Sequence, residues 1–269
     1  MIHRIFAAAA LAASFALPVA AQQQHPTGFH NIACVKVRPG QASNFREFLQ
    51  GDVQKYAQAR VSSGAIAAFM VLRAIMPAGS DGQCDYAIVT FYNGAPPAPM
   101  SHEDLLAALQ KAGVDPQQYL QKRSEMTELV STHLTQYQVL VGAAKKGDYL
   151  VFNSMHAKDV DAWVAWEKKN WQPFAEAAVK QGLLSAWAIN VQIFPTGESD
   201  HDLVSSVDVY PTWNAVFNQS QTYRDAWTKT HPGVDPAAFF ADAGKLRTIE
   251  HTALYQVDDM IAAPTRAAR

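Results

Sequence analysis

Two cysteines, Cys34 and Cys84, are all that the chain carries. That is too few for a disulfide scaffold or a zinc site. No His-Glu-x-x-His, Cys-x-x-Cys, Gly-x-Ser-x-Gly or phosphate-binding glycine loop occurs. The common metal, hydrolase and nucleotide signatures are therefore missing. Charge is also sparse. Lys and Arg number 22 against 24 Asp and Glu, the net charge is −2, and the basic residues do not cluster. A nucleic-acid partner would need a basic stripe to meet phosphates, so that class is set aside. Beyond the first twenty residues no apolar run reaches the ~18 residues of a membrane helix.

The opening segment has the form of a targeting signal. Arg4 precedes an apolar run from Ile5 to Ala13, Pro18 breaks it, and Val19-Ala20-Ala21 closes it with small residues. This predicts a signal peptide over residues 1–21, cleaved after Ala21, and a soluble periplasmic or secreted product. Gln22-Gln23-Gln24 then reads as a frayed terminus. At 49% hydrophobic and 17% charged, the remainder can bury a sizeable core.

That remainder repeats itself. A shift of 118 residues lays Phe45 on Trp163, Phe48 on Trp166, Tyr56 on Phe174 and Phe69 on Trp187. It lays Met76-Pro77 on Phe194-Pro195, His133 on His251, and Tyr137-Gln138-Val139 on Tyr255-Gln256-Val257. Gly113-Val114-Asp115-Pro116 recurs as Gly233-Val234-Asp235-Pro236 at an offset of 120. A colinear series of this length predicts a tandem duplication, with repeats over 29–142 and 148–261.

Each repeat reads in the same order. Asn31 to Arg38 alternates as a first strand, and Ser43 to Ser63 has the apolar period of a helix stopped by Gly64. Ala65 to Met76 and Tyr86 to Tyr92 follow as strands. Ser101 with Asp104 opens a helix through a capping box. A second helical piece follows Gly113 to Pro116, and Leu134 to Val141 is the fourth strand. In the second repeat the strands are Asp148 to Met155, Leu183 to Phe194, Leu203 to Tyr210 and Ala253 to Val257. The helices run over Asp159 to Gln181 and about Gln219 to Arg247. The order β-α-β-β-α-β is the ferredoxin-like motif. Its sheet carries helices on one face only, and these strands are apolar on both, so a second sheet is the natural cover.

In element order and duplication the chain resembles the dimeric α+β barrel superfamily in a fused form. That superfamily includes small monooxygenases, muconolactone isomerase-like, EthD-like and NIPSNAP-like proteins, and heme enzymes such as chlorite dismutase. The resemblance implies an α+β fold of two tandem ferredoxin-like βαββαβ repeats forming an intramolecular α+β barrel. It rests on no catalytic motif and so says little of chemistry.

The site candidates are polar residues within apolar elements. His133 and His251 each end a helix in this reading, with Tyr137 and Tyr255 four residues on. A histidine can act as general base and a tyrosine as proton donor. Their presence in both repeats also fits a structural role, since the dipole favours a cationic histidine near a helix C-terminus. Residues differing between the repeats mark divergence in use. Arg73 stands opposite Val191, Asn190 opposite Leu72, Asp208 opposite Phe91 and His156 opposite Arg38. Arg73 suits a substrate carboxylate or phenolate, or else pairs with an acid at a rim. All six tryptophans fall in the second repeat, and Trp187, on a strand, could line an aromatic pocket. Cys34 and Cys84 fall on neighbouring strands, as a disulfide or as two buried thiols.

The reading favoured is an exported, metal- and nucleotide-independent enzyme that performs lyase- or isomerase-type proton transfer on an apolar or aromatic small molecule. It needs no cofactor, and after signal cleavage it engages no membrane. A homodimer is compatible with it. The alternatives are a cofactor-free monooxygenase and a non-catalytic ligand- or heme-binding barrel with a histidine as axial ligand.

Overall fold

The computed structural model describes residues 28–79, 82–196, 203–217 and 220–262. The signal segment lies outside them. Eight strands close into one antiparallel barrel in the order β1-β3-β2-β8-β5-β7-β6-β4. The first half supplies β1 (Phe29–Val37), β2 (Ala68–Met76), β3 (Tyr86–Phe91) and β4 (Thr127–Gly142). The second half supplies β5 (Tyr149–Ala157), β6 (Ala186–Phe194), β7 (Leu203–Tyr210) and β8 (Arg247–Ala262). Each half is a sheet with its fourth strand beside its first, and the halves join where β4 meets β6 and β2 meets β8. Among the described strands closure leaves no free edge, which removes the row of unpaired backbone groups an open sheet would present.

The helices lie outside. In the first half α1 (Ala42–Phe48) runs through a π-helical turn over Leu49–Val53 into α2 (Gln54–Ser62), then come α3 (His102–Lys111) and α4 (Pro116–Met126). In the second half the order is α5 (Val160–Asn170), α6 (Gln172–Lys180), α7 (Trp213–Phe217), α8 (Gln221–Thr230) and α9 (Pro236–Leu246). The single helix expected over Asp159 to Gln181 is thus two helices, with Pro173 in the first turn of α6. Proline fits there because it lacks the N–H that an interior position must donate.

The repeated Gly-Val-Asp-Pro has a local cause. Gly113 and Gly233 take φ of 72° and 73°, a left-handed conformation in which glycine has no Cβ penalty. Asp115 and Asp235 then cap α4 and α9, accepting from Gln118 N and Ala237 N, with Pro116 and Pro236 in the first turn. Ser101 caps α3, and its hydroxyl also donates to Asp104 Oδ2 at 2.7 Å. Met76-Pro77 and Phe194-Pro195, matched in the sequence, are both cis.

Strand alternation sorts side chains into three cores. Phe45, Phe48, Tyr86 and Tyr119 pack between sheet and helices in the first half. Trp163, Phe174, Ala178 and Trp187 do so in the second. Met70, Leu72, Val89, Leu150, Val209 and Val257 face the barrel interior.

Two expectations are corrected here. β4 and β8 begin at Thr127 and Arg247, so His133 and His251 lie inside strands and do not end helices. The dipole argument for them falls. The cause is strand length: exposed Leu129, Val130 and Ile249 extend strands that were expected to begin later. The structural counterpart of Asp208 is also Thr90, not Phe91. Ala68 pairs with Phe91 as Ala186 pairs with Val209, which puts Asp208 one residue off the expected match. The open question at Cys34 and Cys84 resolves as a disulfide, with Cα atoms 5.2 Å apart.

Candidate functional site inside the barrel

The interior holds two chambers, one towards each end. The first, of about 250 Å³, lies where β1, β2, β5 and β6 begin, and it includes His30, Phe91, Tyr137 and Asn190. The second, of about 290 Å³, lies where β3, β4, β7 and β8 begin, and it includes the disulfide, His133, Ser205, His251 and Tyr255. Ile32, Leu72, Val89, Leu150 and Phe152 line both and form the waist between them.

A polar belt follows the strand registers round this interior. His30 on β1 pairs with Thr135 on β4. Tyr137, two residues along β4, pairs with Asn190 on β6, and Asn190 with Ser205 on β7. Ser205 pairs with Ser154 on β5, and Ser154 with His251 on β8. Directly opposite residues share a face, so the belt is continuous. β2 and β3 complete the circuit with apolar Leu72 and Val89.

In the second chamber the two histidines expected from the sequence meet. His133 is fixed on both nitrogens. Nδ1 lies 2.9 Å from Gln192 Oε1 and Nε2 lies 3.0 Å from Ser131 Oγ. The Gln192 amide is itself held, its Nε2 donating to Pro195 O at 2.8 Å. The glutamine oxygen can only accept, so Nδ1 donates to it. His251 makes no side-chain hydrogen bond among the described residues and stands beside Glu250 and Tyr255 on the chamber wall. Burial pushes the Tyr255 hydroxyl above its ordinary pKa, so it stays a proton donor.

The first chamber is walled mostly by carbon, and its polar groups are buried. His30 is 4% exposed and Asn190 2%. The Thr135 hydroxyl lies 2.6 Å from His30 Nε2 and donates to the His30 carbonyl at 3.3 Å. The other ring nitrogen, Nδ1, has no partner among the described residues. Burial lowers the pKa of His30 to about 3, so the ring is neutral. Asn190 donates Nδ2–H to Ser205 Oγ at 3.2 Å, and its Oδ1 is likewise unpartnered. Burial also raises the Tyr137 hydroxyl.

The other expected residues lie elsewhere. Arg73 faces outwards on β2, donating to Gln256 and standing 3.6 Å from Asp258. His156, at the end of β5, lies 2.9 Å from Glu250. Trp187 is fully buried in the second half's outer core and reaches the edge of the first chamber. Asp208 faces outwards into a cleft of about 340 Å³ under α5 and α9, with Glu167, Trp166, Trp171, Phe239 and Arg247. Burial raises both carboxyls to about 7, with Glu167 held down by Arg247 and pushed up by Asp208 as lesser influences. No three His, Cys, Asp or Glu side chains among the described residues gather as a metal site. No helix among them is long and apolar enough to cross a membrane.

His30, Thr135, Glu167 and Arg247 escaped the sequence reading. A signal for His30 existed but was displaced. Ladder pairing matches His30 with Phe152, since each stands opposite residues 118 apart, Thr135 and Ala253. A uniform shift of 118 instead lays His30 on Asp148 and hides the contrast.

No family model matches the chain, and no curated relative matches it. Solved structures do. A candidate monooxygenase from Lactobacillus acidophilus NCFM is 11% identical, with 88% of this chain and 96% of that one covered, at a TM-score of 0.56. A candidate monooxygenase from Fusobacterium nucleatum is 8% identical, with 88% and 95% covered, at 0.55. A ferredoxin-fold protein related to antibiotic biosynthesis monooxygenases, from Listeria monocytogenes 4b F2365, is 8% identical, with 87% and 97% covered, at 0.41. At such identities the likeness concerns the fold alone. The closed eight-stranded sheet with its outer helices is thus a fold that this chain shares with the first two of these structures.

Proposed function

We propose that this chain is an exported enzyme that binds an apolar or aromatic small molecule inside its barrel and moves a proton on it, in a lyase or isomerase step. We further propose that its halves are tandem ferredoxin-like repeats. The observation that carries the functional reading is the convergence of His133, His251 and Tyr255, from both halves, on one otherwise largely apolar chamber. His251, with its ring nitrogens uncommitted among the described residues, takes a proton from the substrate. The Tyr255 O–H, kept protonated by burial, donates to the oxygen on which charge develops. His133, locked by Ser131 and Gln192, presents a fixed ring face to the substrate, and His251 returns the proton to a neighbouring atom.

The test is turnover of an aromatic carbonyl and enol panel by the purified protein, its His251→Ala variant and its Tyr255→Phe variant. A loss of a hundredfold or more in kcat at unchanged thermal midpoint supports the reading, since general acid–base catalysis contributes about 10²–10⁴-fold. Variants that melt earlier with turnover intact make the pair structural. Oxygen consumption coupled to turnover replaces proton transfer with oxygenation. A Soret band in the protein as purified replaces both with heme carriage.

A further inference from the structure

Two polar atoms in the first chamber have no partners among the described residues. Asn190 Oδ1 is an acceptor and His30 Nδ1 a ring nitrogen, both are buried, and both are on side chains that line one cavity. A buried polar atom without a partner carries its full desolvation penalty, and native proteins retain few of them. The fold shows that neither is needed for packing. Where the first half has His30 the second has Phe152, and where the second half has Asn190 the first has Leu72. Apolar residues serve at both equivalent places, and all four line this chamber. The two polar exceptions come from different halves, yet they converge because β4 bridges β1 to β6.

The remaining wall limits what fits. Among the described residues no Asp, Glu, Lys or Arg lines the chamber, so a charged ligand would be stripped of water without compensation. Phe91 and Tyr137 lie parallel, 2° apart in plane, and His30 stacks on both, with centroids at 5.6 Å and 4.4 Å. Such faces accept a flat ring by offset or edge contact. An apolar cavity of about 150 Å³ holds benzene, so about 250 Å³ has room for roughly two fused rings.

We infer that the first chamber is a binding site, separate from the His133, His251 and Tyr255 chamber, for a neutral aromatic molecule with an O–H or N–H donor that meets Asn190 Oδ1 beside the His30 ring. This holds whether or not the other chamber is catalytic, because it concerns binding alone.

The test is calorimetric titration of the full protein with indole and with benzofuran, which differ in one N–H. Indole is expected to bind at least tenfold more tightly. Indole-3-acetate, with the same N–H but a charge, is expected to bind at least tenfold more weakly than indole. Asn190→Leu, a residue the fold already carries at the equivalent place, should weaken indole about tenfold and leave benzofuran unchanged. His251→Ala should leave indole binding unaltered, which separates this site from the proposed catalytic one. Equal binding of indole and benzofuran overturns the inference, as does indole affinity indifferent to Asn190→Leu. Loss of indole binding in His251→Ala would place the ligand in the other chamber and overturn it as well.

Discussion

His30 on β1 and Tyr137 on β4 stack with their ring centroids 4.4 Å apart. The contact seals the imidazole from solvent and leaves it one hydrogen-bond partner, Thr135, for its two ring nitrogens. A histidine so placed folds neutral.

That neutrality predicts acid sensitivity. The folded pKa of His30 is lowered to about 3, while the unfolded chain protonates near 6.5. Between those values the unfolded state binds the extra proton, so stability is present above pH 6.5 and is lost as pH falls towards 3. Urea denaturation at pH 7 and pH 4 should show His30→Phe losing less stability than the parent, by on the order of 2 kcal/mol. Equal losses would mean that the ring is solvated.

The cleft beneath α5 and α9 predicts the opposite slope. Asp208 and Glu167 are raised to about 7, with Tyr210, Tyr223 and Arg247 as their titratable neighbours. Here the folded state binds more protons between pH 4 and 7, so stability falls as pH rises through that window and levels off above it. Asp208→Asn should stabilise the protein at pH 8 by on the order of 2 kcal/mol, with the gain gone at pH 4. Denaturant midpoints at the two pH values check this.

The Cys34–Cys84 bridge spans 50 residues and ties β1 to the approach to β3 at the second chamber. Cross-linking a loop of that length removes conformations from the unfolded chain. Reduction, or replacement of both cysteines by alanine, should cost about 2–4 kcal/mol in chemical denaturation. A smaller loss in reduced protein would show residual structure around β1 and β3.

Gly142 ends β4 at the first chamber with φ of 73°, and a Cβ there would fall 2.3 Å from Ser185 O. An unstrained Gly→Ala change stabilises by about 0.4–1 kcal/mol, whereas Gly142→Ala should destabilise by more than that amount and loosen the β4–β6 junction. Hydrogen exchange at Ala186 and Ala188 reads that loosening. At Gly40, where a Cβ meets nothing within 4 Å, the same change should cost less.

Much of this architecture is local in origin and could be read from the chain. The helix starts at Ser101, Asp115 and Asp235 follow from capping oxygens and a following proline. The strand periods follow from alternation, and the two matched X-Pro bonds and histidines fall at corresponding places. What could not be read is how the halves meet. Gly142 pairs with Ala186 at one junction. At the other, its counterpart Met260 pairs with Met70, two residues past Ala68, the counterpart of Ala186. A slip of two keeps every side chain on its face but slides one strand along its neighbour. It matches Tyr137 with Asn190 and Tyr255 with Ala74, and the two tyrosines line different chambers. Sequence periodicity fixes which face a residue occupies, because that depends only on its own strand. Which residues confront each other across a junction depends on packing between segments far apart in the chain, and only the closed barrel decides it.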